Sequence, residues 1–194
     1  MSSSRGSSSP ATRRRSDVSL IPFSDAAHLF KEFEEEAWRL ETRKGYASDR
    51  SSSSWVRFSA GDEFGYDPDR PWHATVRAAT SAGKRFARVR LVDYPPTEGQ
   101  RFLLATGLGN VAAGEDIRNL WRADAEGLGL PAEDFWLFDS RLVARFVFDE
   151  DDVTLGVILS EDTDEVAAAC RARDVATKRA IPTRDFIPQV PSRA

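Results

Sequence analysis

The period of hydrophobic and polar positions changes several times along the chain, and each change marks an element. Leu29, Phe30, Phe33 and Ala37 recur at helical spacing with Lys31, Glu32, Glu34 and Glu35 between them. Ser24, followed by Asp25, offers an N-cap hydroxyl for the free amides of that first turn. From Trp38 the pattern alternates, with Trp38, Leu40 and Thr42 set against Arg39, Glu41 and Arg43. This predicts a strand over about 37–43, a continued helix being the alternative, and Gly45 breaks it. Trp55 and Phe58, three apart after the serine run 51–54, predict a short helix ending near Gly61. A loop punctuated by Gly65, Pro68 and Pro71 follows. Pro71 suits the first turn of a third helix, which places Trp72, Val76, Ala79 and Ala82 on one face and Gly83 as its C-cap.

The clearest strand is Phe86 to Val92, where Phe86, Arg88 and Arg90 alternate with Ala87, Val89 and Leu91. A helix from Thr97 to about Leu108 comes next, and Gly107, Gly109 and Gly114 are expected to loosen the chain before a strand at 116–122. Strands at about 134–139, 141–149 and 153–159 read as an antiparallel meander. A last helix over 162–180, capped by Asp162 or Thr163, stops before Pro182. Helix-linked strands early and hairpin-linked strands late give an α/β (α+β) fold. It is one mixed sheet of about six strands flanked by helices, ending in the meander and a final helix. The domain is expected to span 20–188, between a Ser/Arg-rich tail at 1–19 and a short tail at 189–194.

Composition narrows the class. Apolar residues are 41% of the 194, enough for a packed core, and no apolar run approaches a membrane span. The formal net charge is −4, which argues against a general nucleic-acid binder. The first segment is the exception: Arg5 and Arg13–Arg15 stand against one acid, Asp17, with no apolar stretch for a secretory signal. A solvated tail is the expectation there, with a transit peptide or a phosphate contact as alternatives. The single cysteine, Cys170, forms no internal disulfide and sits in an Ala-rich helical context, which suits a cytoplasmic protein and a packing role.

The chemistry-bearing patterns are sparse. His28 and His73 have no second ligand at metal spacing, and no metal or cofactor is expected. The acidic run Asp149–Asp152 between two apolar strands reads as a solvated hairpin tip. The segment GLGNVAAGED resembles a phosphate loop in composition, but a helix precedes it and a strand follows. Arg88 and Arg90 share one strand face, and Glu115, Asp116 and Arg118 flank the start of another. Alternating Arg on a strand ordinarily marks an exposed face; the alternative is a polar pocket whose guanidinium forks clamp a carboxylate or phosphate. DFWLFD, with Trp136 at its centre, reads as a strand buried on both sides. No nucleophile elbow occurs.

The blocks EAWRLETRKGY, RFARVRLVD, NVAAGEDIRNL and DFWLFDSRLV resemble an uncharacterised actinobacterial, Streptomyces-type family encoded beside helix-turn-helix regulators, over about residues 20–188. The stretch TEGQRFLLATGLGN departs from that family's aromatic- and charge-rich version. The order of elements is also similar to one half of a phospholipase D-like domain, whose active members need an H-x-K motif; the comparable strand, DFWLFD, has neither residue. The resemblance implies a non-enzymatic accessory protein that binds a helix-turn-helix regulator or a small, anionic ligand, with direct nucleic-acid binding disfavoured. The rival is an enzyme acting on a phosphate- or carboxylate-bearing substrate, with Arg88, Arg90 and Arg118 as clamps and Glu115 as base. Candidate ligand- or partner-binding residues are Trp38, Arg39, Glu41, Arg88, Arg90, Glu115, Asp116, Arg118 and Trp136. A pocket requires the Arg and Glu residues to converge, whereas a partner surface would expose Trp38 or Trp55.

Overall fold

The computed structural model describes residues 19–192, so most of the expected N-terminal tail, with Arg13–Arg15, and the last two residues lie outside the described residues. Strand β1 (Leu20–Ile21) leads through a 3-10 turn to a short helix α1 (Leu29–Glu32) and then to β2 (Glu36–Glu41). Three helices follow, α2 (Ala47–Arg50), α3 (Ser53–Ser59) and α4 (Pro71–Ser81), before β3 (Arg85–Val92). Helix α5 (Glu98–Ala113) connects β3 to β4 (Asp116–Trp121), and α6 (Arg122–Ala125) leads to β5 (Phe135–Phe138). The meander continues through β6 (Leu142–Phe148) and β7 (Thr154–Ser160) to α7 (Thr163–Arg179), β8 (Ile181–Pro182) and α8 (Thr183–Phe186).

All strands join one mixed sheet in the order β1-β7-β6-β5-β2-β3-β4-β8. The helix-linked trio β2, β3 and β4 is parallel, and the hairpin-linked β5, β6 and β7 are antiparallel. The fold class agrees with the sequence pattern; the sheet has eight strands rather than about six, because the two-residue β1 and β8 carry no periodicity to detect.

Two apolar layers hold the sheet. One face packs Trp38, Leu40, Val89 and Leu137 against Ala169, Ala172 and Ala176 of α7. The other packs Ala37, Phe86, Trp136 and Phe146 against Val76 and Ala79 of α4 and Phe33 of the N-terminal segment. Two elements differ from the periodicity. The helix expected to run from Ser24 towards Ala37 stops at Glu32, because the Asp139 carboxylate accepts the amides of Glu34, Glu35 and Glu36 at 2.9, 2.8 and 3.0 Å and turns the chain into β2. Asp139 can do so because it and Ser140, with φ of 50° and 55°, make the tight reversal between β5 and β6.

The second difference concerns glycines. Gly107 and Gly109 lie inside α5 rather than loosening a loop, and the helix closes at Gly114 with φ of 115°. A Cβ on Gly107 would sit 2.7 Å from Arg90 Nη1, and one on Gly109 would sit 2.5 Å from the Gly65 carbonyl oxygen. These glycines bring α5 close to the sheet and to the loop ahead of α4, closing the roof of a cleft. Among the described residues no helix is long and apolar enough to cross a membrane.

Candidate functional site

Register decides which charged residues meet. Arg39 lies beside Arg88, and Glu41 beside Arg90, across the parallel pair β2–β3; Trp136 faces Arg39 from β5. Side chains alternate faces along a strand, so Arg39, Glu41, Arg88, Arg90 and Trp136 all point to the α4–α5 side. Glu115, just before β4, joins them from the same side. Trp38 is one residue out of step and packs under α7, its indole N–H donating to Thr177 Oγ1 at 3.2 Å. Asp116 and Arg118 share the register parity of Ala87 and Val89, and they form a separate, half-exposed cluster with Arg85. The structure therefore brings six of the nine candidate residues together and leaves Trp38, Asp116 and Arg118 on the opposite face.

The five charged residues among them, with Asp134, form a closed ionic network. Arg88 donates to Glu115 Oε1 through Nε at 2.6 Å and to Glu41 Oε1 through Nη1 at 2.7 Å. Arg90 donates to Glu41 Oε2 through Nε and to the Leu103 carbonyl through Nη1 at 2.6 Å. Arg39 reaches Glu41 and Asp134, both at 3.3 Å. Asp134 is also bound by the Thr42 amide at 2.7 Å and by the Tyr46 hydroxyl. Trp72 donates its indole N–H to Glu115 Oε2 at 3.1 Å. Arg88 and Arg90 are 6% and 4% exposed, so the alternating Arg pattern belongs to a covered face, not a solvated one.

Electrostatics follow from that geometry. Burial pushes the Glu41 carboxyl up, but Arg90, Arg88 and Arg39 outweigh it and hold Glu41 far below the usual carboxylate range. Burial lowers the Arg39 pKa, yet Glu41, Tyr46 and Asp134 raise it on balance. Three guanidiniums and three carboxylates thus neutralise one another in a low-dielectric site, the condition under which buried charges are tolerated.

Above the network opens a cleft of about 430 Å³, within the usual size of small-molecule sites. Its walls are aromatic: Phe30, Trp72, Trp136 and Phe146 line it. The faces of these rings are partly taken, for Arg39 Cζ lies 4.8 Å from the Phe146 ring centre and 5.7 Å from that of Trp136. Glu115 does not line the cleft; both its oxygens face Arg88 and Trp72.

Two further charged residues line it, and neither stands out in the sequence. Arg70, at the end of the loop before α4, is half-buried, and its guanidinium has no hydrogen-bond or ion-pair partner among the described residues. Burial lowers its pKa, the neighbouring Asp67 and Asp49 offsetting this only in part. His73 anchors its loop through Nδ1, 3.0 Å from both the backbone N and O of Asp67. Asp49, on α2, has a buried Oδ2 with no hydrogen-bond partner; burial and the Glu41 charge push its carboxyl up to about 6. The segment carrying Tyr46 and Asp49 is tied to the acidic turn Asp149–Asp152 by Arg43, which pairs with Asp152 at 2.7 Å and lies over Phe148. That turn is therefore a brace rather than a free hairpin tip. No signal at the level of spacing identifies Asp49 or Arg70, since both stand in irregular segments. Among the described residues, no group of three or more His, Cys, Asp or Glu side chains gathers to hold a metal ion.

Comparison with known proteins adds fold-level context. TrmBL2, titled an archaeal chromatin protein that shows a novel mode of DNA binding, is similar at a TM-score of 0.48 and 9% identity, over 87% of this chain and 56% of that one. The chain thus spans about half the length of TrmBL2. NucT from Helicobacter pylori is similar at a TM-score of 0.46 and 9% identity, over 82% of this chain and 89% of that one. Likeness of this degree carries no argument about what the present chain binds. The expectation that set nucleic acid aside is nonetheless corrected, since a structural neighbour is titled a DNA-binding protein. Net charge was the ground for that expectation, and net charge says nothing of local potential. No curated protein matches the sequence. Residues 24–188 match the family described as Domain of unknown function (DUF6879), and the chain belongs to that family.

Proposed function

We propose that the protein is a binding module whose cleft takes a small ligand through a single carboxylate or phosphate group. The observation that carries this reading is Arg70, a half-buried guanidinium lining the cleft that makes no direct ion pair among the described residues and is compensated only in part by Asp67 and Asp49, above a network of three guanidiniums and three carboxylates that cancel. An anionic group delivered to Arg70 completes the pairing, and Arg presents a fork matched to either oxyanion. The network carboxylates are occupied and do not serve as free bases: Glu41 is held ionised by three guanidiniums, and both Glu115 oxygens accept hydrogen bonds, from Arg88 and Trp72.

Titration of inorganic phosphate and of benzoate into the full chain, followed by tryptophan fluorescence, tests this, since Trp72 and Trp136 line the cleft. Arg70→Ala should weaken binding about tenfold or more, a charge-assisted hydrogen bond being worth about 1.5–3 kcal/mol. Unchanged affinity in that variant, or no binding of either anion, overturns the proposal.

A further inference from the structure

Three polar atoms of the cleft residues lack a partner among the described residues, and one of them, Arg39 Nε, belongs to a guanidinium already paired with Glu41 and Asp134. Asp49 Oδ2 is buried and accepts no hydrogen bond. Trp136 is 1% exposed, and its indole N–H has no acceptor. Buried donors and acceptors are otherwise almost always paired, and elsewhere this site obeys that rule closely: Arg88, Trp72 and Thr42 all bond the network carboxylates. Apart from the guanidinium of Arg39, one unpaired acceptor and one unpaired neutral donor thus belong to residues of the same small cleft, next to a wall of indole and phenyl rings.

The wall discriminates as well. Arg39 and Arg88 lie within 6 Å of the ring centres of Trp136, Phe146 and Trp72, so the negative ring faces already carry cations. A cationic ligand would be repelled there, whereas a neutral planar ring gains the apolar contact and keeps the existing pairs.

Resting on the anion reading of Arg70, we infer that the ligand couples its acidic group to a neutral planar ring that carries a hydrogen-bond donor and acceptor on one edge, the donor taken by Asp49 and the acceptor by Trp136. Two sources share this chemistry, nucleoside monophosphates and hydroxylated aromatic carboxylic acids. A cleft of about 430 Å³ accommodates either.

Isothermal titration calorimetry at pH 7.5, where the Asp49 carboxyl is ionised and accepts, tests the inference on the full chain with four probes. They are adenosine 5′-monophosphate, 4-hydroxybenzoate, benzoate and inorganic phosphate. At least one of the first two should bind about tenfold or more tighter than benzoate and phosphate; which of them binds tighter identifies the source. Asp49→Ala should erase that advantage, while benzoate and phosphate still bind, and bind no weaker, because a negative charge near Arg70 is removed, a selective effect that a misfolded variant does not produce. Trp136→Phe keeps the ring wall and should weaken only the two probes whose ring edge offers an acceptor to the indole N–H. Equal binding of benzoate and 4-hydroxybenzoate, no advantage for the nucleotide over phosphate, and indifference to Asp49→Ala would overturn this inference while leaving the Arg70 reading intact. Loss of all binding in the native chain, or binding indifferent to Arg70→Ala, would overturn the Arg70 reading itself.

Discussion

Replacing Glu41 by Gln removes one charge from the centre of the buried network and changes almost nothing in volume. Glu41 is 2% exposed and serves Arg88, Arg90 and Arg39 at once. Gln keeps one acceptor but presents an amide that faces guanidinium donors, leaving excess positive charge where water cannot compensate it. Breaking a buried ion pair from one side costs about 3–5 kcal/mol. For a chain of this length each kcal/mol lowers Tm by roughly 2–4 °C, so the melting point should fall by roughly 6–20 °C. Scanning calorimetry at pH 7 reads this directly. Glu36→Gln serves as the control, because Glu36 pairs with Arg85 and Arg173 at the more exposed margin of the sheet and should cost clearly less than E41Q. The pH dependence gives an independent check. The Glu41 pKa is depressed on folding, so its contribution is fully present above its unfolded value of about 4 and lost as pH falls below it. The gap between native and variant should therefore narrow on acidification. An E41Q protein melting within 2 °C of the native chain at pH 7 would refute the account of the network.

Three further outcomes follow from local geometry. Gly109→Ala drives a Cβ towards the Gly65 carbonyl and should cost about 1–3 kcal/mol, read as a lower urea midpoint; an unchanged midpoint would mean that the α5 roof is not tightly closed. Asp162→Ala removes the N-cap that accepts from the Asp164 and Glu165 amides at 3.0 and 3.1 Å, for a loss of about 1 kcal/mol in thermal unfolding. Burial raises the Asp139 pKa, but the amides of Glu34, Glu35 and Glu36 bring it below its ordinary value, so its stabilisation is lost as pH falls below about 4. Asp139→Asn should flatten the acid limb of the stability profile, and an identical limb would contradict the assignment.

Periodicity disclosed the strands of the sheet centre and the long helices because those segments obey a single repeat over many residues. It could not decide whether Arg88 and Arg90 face water. Alternation tells which residues share a face, but whether that face is covered depends on where α5 lies, and α5 lies close because Gly107 and Gly109 permit it. The grouping of Arg39, Glu41, Arg88 and Arg90 was half visible as matching parity on two strands. The exclusion of Asp116 and Arg118 depended on the β3–β4 register, which places Arg118 opposite Val89 rather than Arg88. Asp49 and Arg70 belong to irregular segments whose positions are set by distant contacts, His73 with Asp67 and Arg43 with Asp152. The first helix failed as a prediction for a similar reason: a carboxylate more than a hundred residues away captures the amides that would have continued it.

The sheet is finished at both sides by strands of two residues, β1 along β7 and β8 along β4, and the second contains Pro182. Unpaired strand edges are templates on which other chains can grow, and very short or proline-bearing margins are how proteins deny them. Such margins protect β7, whose run Leu155–Leu159 is apolar and would otherwise offer a long sticky border. Loss of Leu20 and Ile21 would leave the cleft residues in place yet uncover that border. Shortening the chain at its start should therefore first appear as aggregation, with ligand recognition still intact in whatever stays dispersed.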